Sequence, residues 1–379
     1  MIYTERELLR LARRHHNTRR TYLLINPLQG KHIPVTPSEA LSMMRTLGEH
    51  MAGECPEIDL VIGFAETATA VAAMAAAGLG RPCRYIHTTR EGDLAGTCLE
   101  FREEHSHAAE QLLSLERLAE WVDRAKGVAF VDDELSTGRT MVNAVESLRM
   151  AFPSLFTKPI IAASIISRLS DERMSALQGE GIQSVSLLRL PAGDYTQAVS
   201  RYQIHEAKAP NGRGMAYRGL LLTEIGDARR GVSVPEWMER LNDAFDAIID
   251  ELLPRLSDRR VTVLGTEEYM LPGLLLGAKL EGIPAIRSVK FHATTRSPIG
   301  ICQDGNYPIQ TGYKLHSLYD AVRTTYIYDL QPCDAAVIVT DSPDDEALRH
   351  GMGDLSAALR GTGCRDIILI REARHVQHL

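Results

Sequence analysis

Two adjacent carboxylates and a turn rich in hydroxyl groups stand close together in this sequence. Asp132 and Asp133 follow the apolar run 128–131. After two intervening residues, the turn reads Ser136, Thr137, Gly138, Arg139 and Thr140. Glycine and hydroxyl groups at the start of a helix suit a phosphate monoester, whereas the acidic pair suits sugar hydroxyls or Mg²⁺. This spacing therefore predicts a ribose 5-phosphate site.

The elements that must position this stretch alternate between apolar strands and helices. We predict strands over 59–64, 83–87, 128–132, 160–166 and 184–190, and helices over 66–77, 115–125, 138–151 and 171–178. Such alternation is typical of an α/β protein with a parallel sheet and helices on both faces. Ligands bind beyond the carboxyl ends of the strands in these sheets, which is where residues 132–140 would lie. Upstream, the sequence predicts a helix over 5–16, a strand over 22–25 and a helix over 38–52.

The periodicity fades between residues 191 and 234, and the turn-rich stretch 210–214 indicates a domain junction there. The alternation then resumes. We predict helices over 235–253, 267–280 and 344–360, and strands over 261–265, 285–291, 325–329, 335–341 and 366–370. The sequence therefore predicts two α/β domains, at residues 1–200 and 201–379.

An internal repeat links the two halves. Gly63, Glu66, Gly80 and Pro82 recur at one constant spacing as Gly265, Glu268, Gly282 and Pro284. Each set leads to a similar short motif, His87-Thr88-Thr89-Arg90 in the first half and His292-Ala293-Thr294-Thr295-Arg296 in the second. The second copy has no hydroxyl-rich turn, because acidic residues and a proline follow Asp341 over 342–346. We expect two homologous domains, of which the second cannot hold a phosphate in the same way.

Composition narrows the class of protein. The chain has 379 residues, a net charge of −7 and 44% hydrophobic residues, which suits a folded protein of two domains. The negative charge argues against general nucleic-acid binding, and no apolar run approaches the ~20 residues that a membrane helix needs. The six cysteines form no Cys-x-x-Cys pair, and no apolar signal core follows Met1. We expect a cytoplasmic protein that binds neither nucleic acid nor membranes.

The acidic pair and its turn resemble the phosphoribosyltransferase signature, in which a hydrophobic strand precedes two acids and a Ser/Thr-Gly-x-Thr loop. Over nearly the whole chain, the sequence resembles orotate-phosphoribosyltransferase-like proteins with a C-terminal TRSP domain, a branch associated with tellurite-resistance-type stress gene clusters. The motifs that carry this resemblance are Thr295-Arg296-Ser297-Pro298, Asn26-Pro27, Gly30-Lys31-His32-Ile33-Pro34 and the stretch 101–108.

The resemblance implies a type I phosphoribosyltransferase-like sheet followed by a related but degenerate α/β domain. It implies a homodimer and Mg²⁺-dependent transfer from 5-phosphoribosyl-1-pyrophosphate (PRPP) to a small acceptor. In that family the acidic pair holds the ribose and metal, and the turn over 136–140 holds the 5′-phosphate. A second loop holds pyrophosphate, and here it reads Gly63, Phe64, Ala65, Glu66 and Thr67, without the usual basic residue. A mobile lid corresponds to residues 90–107, which include Arg90, Arg102, His105 and His107.

Several roles stay open at this point. We expect Glu134 and Arg90 to act in catalysis, although Glu134 could simply face solvent. Lys31 could reach the pyrophosphate or the acceptor, and Arg296 could bind an anion in the second domain. That domain could recognise the acceptor, catalyse a second reaction or serve packing. Ser136 occupies the position of an acid in purine-type enzymes, which disfavours a 6-oxopurine acceptor. Two alternatives to synthesis are a PRPP- or nucleotide-sensing protein without turnover, and a reverse reaction that releases a base.

Overall fold

The computed structural model of the chain describes residues 2–15, 20–92, 94, 96–101, 111–212, 214 and 216–372. The first elements are α1 (Glu5–Leu8), β1 (Arg10–Arg13), β2 (Tyr22–Ile25), α2 (Pro37–Glu54), β3 (Ile58–Gly63), α3 (Thr69–Gly78), β4 (Arg84–His87), β5 (Cys98–Phe101), β6 (Gln111–Ser114), α4 (Leu118–Arg124), β7 (Gly127–Leu135), α5 (Arg139–Ala151), β8 (Ile160–Ser167), α6 (Asp171–Gly179) and β9 (Ile182–Arg189). A 3₁₀ helix, Pro153–Thr157, lies between α5 and β8.

The elements that follow are α7 (Thr196–Ser200), β10 (Arg218–Leu222), β11 (Val232–Ser233), α8 (Val234–Leu256), β12 (Arg260–Gly265), α9 (Leu271–Glu281), β13 (Ser288–Ala293), β14 (Gly312–His316), β15 (Thr324–Tyr328), β16 (Ala335–Thr340), α10 (Glu346–Gly361) and β17 (Asp366–Glu372). Among the described residues, no helix is long and apolar enough to cross a lipid bilayer.

The chain forms two compact units whose segments alternate along the sequence. The first unit comprises residues 1–4, 41–193 and 226–240, and the second comprises 5–40, 194–225 and 241–379. The sequence predicted one boundary at residue 200, whereas each unit is composed of three separate segments. Residues 5–40 and 226–240 pair with strands that are far away in the sequence. Val35 forms a β-bridge with Phe291 in the second unit, and Val232 pairs with Tyr85 in the first. Such pairings cannot be predicted from local sequence patterns, because the two partners lie far apart in the chain.

The first unit is built on a six-stranded sheet in the order β11-β4-β3-β7-β8-β9. Its strands are parallel except at the edge, where β11 runs antiparallel to β4. All eight residues of β8 are buried, which explains why this strand is an unbroken apolar run rather than an alternating one. Phe130 of β7, Trp121 of α4 and Leu148 of α5 belong to one hydrophobic core.

The second unit is built on a five-stranded parallel sheet in the order β10-β17-β16-β12-β13. Helix α10 packs on its core through Leu348, Met352, Leu355 and Leu359, a spacing that places one apolar stripe along the helix. The predicted α/β fold class is therefore confirmed: a parallel sheet with helices is followed by a second α/β region.

The two sheets share a common four-stranded framework. The order β4-β3-β7-β8 in the first unit matches β13-β12-β16-β17 in the second, and each unit has an antiparallel hairpin, β5-β6 or β14-β15. One detail of the sequence repeat changes in space. Gly63 pairs with His87, whereas Gly265 pairs with Ala293, so the extra residue Ala293 moves His292 to the position of Ile86. The threonines that follow remain equivalent.

One local prediction was wrong. The helix predicted over 5–16 ends at Leu8, and Arg10–Arg13 instead forms β1 beside the fully buried strand β2. Pairing with a buried strand outweighs helix propensity, which amounts to under about 1 kcal/mol per residue. Within the predicted lid segment 90–107, Cys98–Phe101 forms the strand β5.

Candidate functional site

Three acids in succession lie at the carboxyl end of β7. The strand was predicted to end at Asp132, but it continues to Leu135 because β8 pairs with it as far as Ser167. Side chains alternate between the faces of a strand, so Asp132 and Glu134 share one face and Asp133 takes the other. Asp132 accepts a hydrogen bond from the N–H of Asp133 at 2.9 Å, which helps to orient this half-buried carboxylate.

The hydroxyl-rich turn leads directly into helix α5. Gly138 precedes the helix with a left-handed backbone, φ 72°, that favours glycine. Within the described part of the chain, the N–H groups of Ser136, Thr137, Gly138 and Thr140 have no protein acceptor. Helix starts leave such N–H groups unsatisfied and carry a positive dipole end. The turn can therefore receive an anion.

The segment that follows β8 packs against the hydroxyl-rich turn. The N–H of Arg168 donates to the carbonyl of Leu135 at 2.7 Å. A Cβ at Gly138 would lie 3.2 Å from a methyl carbon of Leu169, so these two segments approach each other closely. Sequence reasoning missed this segment, although its position at the end of a predicted parallel strand was the available signal.

Glu134 forms an ion pair with Arg168. Its Oε1 lies 3.0 Å from Nε and 2.9 Å from Nη2 of the arginine, and both side chains are largely buried. Arg168 also donates to the carbonyl of Gly193 at 2.9 Å. Breaking a buried pair of this kind costs about 3–5 kcal/mol. Glu134 thus neutralises Arg168, and does not lie in solvent.

The predicted pyrophosphate loop lies beside the turn. β3 and β7 are adjacent strands, and the N–H of Phe64 donates to the carbonyl of Val131 at 3.1 Å. The N–H of Ala65 donates to Thr88 Oγ1 at 2.8 Å, and the Ala65–Glu66 peptide bond is cis. Gly63 has no room for a side chain, because a Cβ there would lie 2.6 Å from that of Ala72. Residues 63–67 and 132–140 therefore meet at one edge of the sheet.

The predicted lid begins at Arg90, which follows β4 and is half-buried. β5 pairs with β6 in an antiparallel arrangement. Arg102, His105 and His107 lie outside the described residues. Thr88 of the preceding motif donates to Gln111 of β6, a contact that links the pyrophosphate loop to this hairpin.

Lys31 and Arg296, two predicted binding residues, lie in the second unit. The Lys31 side chain is fully buried, and its Nζ donates to the carbonyl of Glu267 at 2.7 Å. Arg296 donates from Nε to Glu267 Oε2 at 2.7 Å. Arg323, which the sequence did not single out, donates to the same carboxylate oxygen at 3.1 Å. Both arginines thus contact a carboxylate of the protein itself.

The edge of the first sheet can bind a phosphate and a diol side by side. The turn supplies N–H and hydroxyl donors, and Asp132 and Asp133 supply acceptors. The described residues contain no group of three or more His, Cys, Asp or Glu side chains that could hold a metal by themselves. Two carboxylates nevertheless fit Mg²⁺, which commonly takes one or two protein carboxylates together with substrate oxygens.

Comparison with protein families matches two separate stretches of the chain. Residues 8–193 match the phosphoribosyl transferase family, and residues 226–356 match the TRSP domain, which is described as C-terminal to that transferase. No curated protein matches the sequence.

Solved phosphoribosyltransferases are similar to part of the chain. The APRTase of Giardia lamblia, complexed with 9-deazaadenine, is 17% identical, with 48% of this chain and 94% of that chain covered and a TM-score of 0.34. The orotate phosphoribosyltransferase of Aeropyrum pernix is 22% identical, with 40% and 72% covered and a TM-score of 0.27. The adenine phosphoribosyltransferase of Rhodothermus marinus is 16% identical, with 49% and 96% covered and a TM-score of 0.32.

Proposed function

We propose that the first unit transfers 5-phosphoribosyl from PRPP, because residues 8–193 match the phosphoribosyl transferase family and residues 226–356 match the TRSP domain. The acceptor is a nucleobase-like or other small heterocycle, and the product is a nucleotide-like metabolite. One observation carries the proposal: a helix start with N–H groups open to an anion stands directly after two half-buried acids.

The turn over 136–140 would hold the 5′-phosphate. Its N–H groups point from a helix start, and the side chains of Ser136, Thr137 and Thr140 add hydroxyl donors. Asp132 and Asp133 would accept from the 2′- and 3′-hydroxyls of the ribose. The same carboxylates would hold Mg²⁺, which supplies positive charge next to the pyrophosphate. The buried Glu134–Arg168 pair would keep the end of β7 in place, as a supporting role for the acid that was expected to act in catalysis.

In the reaction, the bond between C1′ and the pyrophosphate oxygen breaks and a bond from C1′ to an acceptor nitrogen forms. The leaving oxygen takes the electron pair, and the proton lost from the acceptor nitrogen passes to the released pyrophosphate. Charge on the leaving group must be stabilised by donors that are already in position. The loop over 63–67 would supply backbone donors, and Arg90 would supply a cation. The hairpin β5-β6 would carry the lid that excludes water from the reacting carbon.

Two assays test the proposal. Isothermal titration with PRPP and Mg²⁺ should give saturable binding that EDTA removes, since the acidic pair cannot hold the pyrophosphate without the metal. Release of labelled pyrophosphate from PRPP should then require a pool of heterocyclic bases. Absence of any PRPP binding in the presence of Mg²⁺ would refute the proposal.

The same assays separate the alternatives. Binding without release in every acceptor pool would identify a PRPP- or nucleotide-sensing protein. Release of a base from nucleotides on addition of pyrophosphate, without the forward reaction, would identify the reverse activity. Light scattering tests the proposed homodimer. A deletion strain tests the proposed cytoplasmic role in a stress response: it should become more sensitive to tellurite, and complementation should restore growth.

A further inference from the structure

The shared framework allows the carboxyl edges of the two sheets to be compared residue by residue. In the first unit, the N–H of Ala65 donates to Thr88 Oγ1 at 2.8 Å. In the second, the N–H of Glu267 donates to Thr294 Oγ1 at 3.0 Å. The same backbone contact therefore places Glu267 at the position of Ala65, in the loop that follows the second strand of each sheet.

The Glu267 carboxylate is surrounded by donors. Arg296 Nε lies 2.7 Å and Arg323 Nη1 lies 3.1 Å from Oε2, and Ser317 donates its hydroxyl to Oε1. The glutamate side chain is only 1% exposed. Two guanidinium groups and a hydroxyl converging on two oxygens are the contacts by which proteins bind carboxylates and phosphates. Here the anion that these groups bind is the protein's own Glu267 carboxylate.

The backbone at Glu267 is held in an uncommon conformation. Its φ of 47° lies in the left-handed region, which glycine occupies readily and other residues rarely. Lys31 Nζ donates to the Glu267 carbonyl at 2.7 Å, so the N–H, the carbonyl and the carboxylate are all bound. Such conformations persist where the surroundings determine them and cluster at ligand sites.

A second side chain, Tyr319, binds the acid that is equivalent to Asp133. Gly265 pairs with Val339 as Gly63 pairs with Val131, so Asp341 stands at the position of Asp133. The Tyr319 hydroxyl donates to Asp341 Oδ1 at 2.7 Å and also lies 2.7 Å from Thr266 Oγ1. Burial raises the pKa of Tyr319 well above its usual value, so the phenol keeps its proton.

We propose that the carboxyl edge of the second sheet is an anion site that the protein fills with its own Glu267 carboxylate. Tyr319 completes the filling by binding Asp341 where a ligand hydroxyl would bind. The natural second unit therefore takes no phosphate at this edge. Removal of the carboxylate exposes Arg296, Arg323 and Ser317 to a small phosphate-bearing anion, for which inorganic pyrophosphate is the probe.

The test compares Glu267→Gly with Glu267→Gln in the full chain. Glycine removes the carboxylate and suits the left-handed backbone, whereas glutamine removes the charge but still fills the space. Titration with pyrophosphate should detect one more bound equivalent per chain in Glu267→Gly than in the natural protein, and none in Glu267→Gln. Adding Arg296→Ala to Glu267→Gly should remove the extra equivalent. Thermal unfolding should show a rise in Tm with pyrophosphate that is larger for Glu267→Gly.

The extra equivalent is counted relative to the natural protein, so the result does not depend on whether the first unit binds PRPP. Equal binding by Glu267→Gly and the natural protein would overturn the proposal, as would an extra equivalent in Glu267→Gln. If Glu267→Gly folds only when pyrophosphate is present, the anion replaces the carboxylate and the proposal stands. Failure of Glu267→Gly to fold under either condition would mean that the carboxylate serves packing alone.

Discussion

The carboxyl edges of the two sheets differ in what occupies them. In the first unit, Ala65 brings no charged group into the loop after β3, and Asp133 precedes a turn most of whose N–H groups have no protein acceptor among the described residues. In the second, the Glu267 carboxylate lies against two arginines, and Tyr319 binds Asp341. Both edges rest on the same strand order. On the two proposals made above, a few side chains, rather than the fold, separate an edge that binds a ligand from one that is filled by its own groups.

The largest expected effect on PRPP binding concerns the acids at equivalent positions of the two sheets, Asp133 in the first unit and Asp341 in the second. Asp132→Asn with Asp133→Asn should weaken PRPP binding by two to four orders of magnitude, because two hydrogen bonds to charged groups contribute about 1.5–3 kcal/mol each. Asp341→Asn is the matched control in the second unit and should leave PRPP binding unchanged. Isothermal titration with Mg²⁺ measures both. An equal loss in the two variants would contradict the distinction between the edges.

A glutamate at position 65, which is equivalent to Glu267, should block anion binding at the carboxyl edge of the first sheet. Ala65→Glu should weaken pyrophosphate binding roughly 100- to 1000-fold, since like charges about 4 Å apart near a protein surface repel by about 4 kcal/mol. Ala65→Gln fills the same volume without the charge and should cost less. Pyrophosphate inhibition or direct titration compares them. Unchanged affinity in Ala65→Glu would show that this loop does not contact the anion.

The hydroxyl-rich turn, which only the first unit has, should depend on Gly138. Gly138→Ala should lower stability by roughly 1–2 kcal/mol because alanine is strained at positive φ, and it should also weaken PRPP binding about tenfold. Gly181→Ala is a matched control: its φ is 70°, and an added Cβ would meet only an Arg149 nitrogen at 3.7 Å. Gly181→Ala should lower Tm by a similar amount but should leave the affinity for PRPP unchanged. If both variants bind PRPP normally, the turn does not hold the phosphate.

The smallest effect concerns His292, which replaces Ile86 of the first unit. Burial lowers the pKa of this histidine, whose ring nitrogens lie 3.1 Å from the Gly30 carbonyl and 2.6 Å from that of Tyr328. The unfolded chain binds the proton near pH 6.5, so stability should fall as pH drops below about 6.5. His292→Gln should lose less Tm between pH 7.5 and pH 5.5 than the natural protein. Calorimetry measures this, and an unchanged difference would exclude His292 as a contributor.

Much of the local structure at the candidate site could be predicted because its parts are contiguous in the sequence. The acids at 132–133 and the turn at 136–140 belong to one strand, turn and helix, so their spacing in the chain determines their spacing in space. Alternating apolar strands and helices predicted parallel sheets in both halves, since a strand buried on both faces must be apolar throughout. The repeat at Gly63 and Gly265 likewise predicted two related frameworks.

The remainder depended on contacts between residues far apart in the chain. Glu134 is joined to Arg168, Glu267 to Arg323 and Asp341 to Tyr319, and nothing in the local sequence of either partner indicates the other. The tertiary structure also paired Val35 with Phe291 and converted the predicted N-terminal helix into β1. Spacing along the chain determines which groups share one element, whereas only packing between elements determines which charges neutralise each other and which edge stays open.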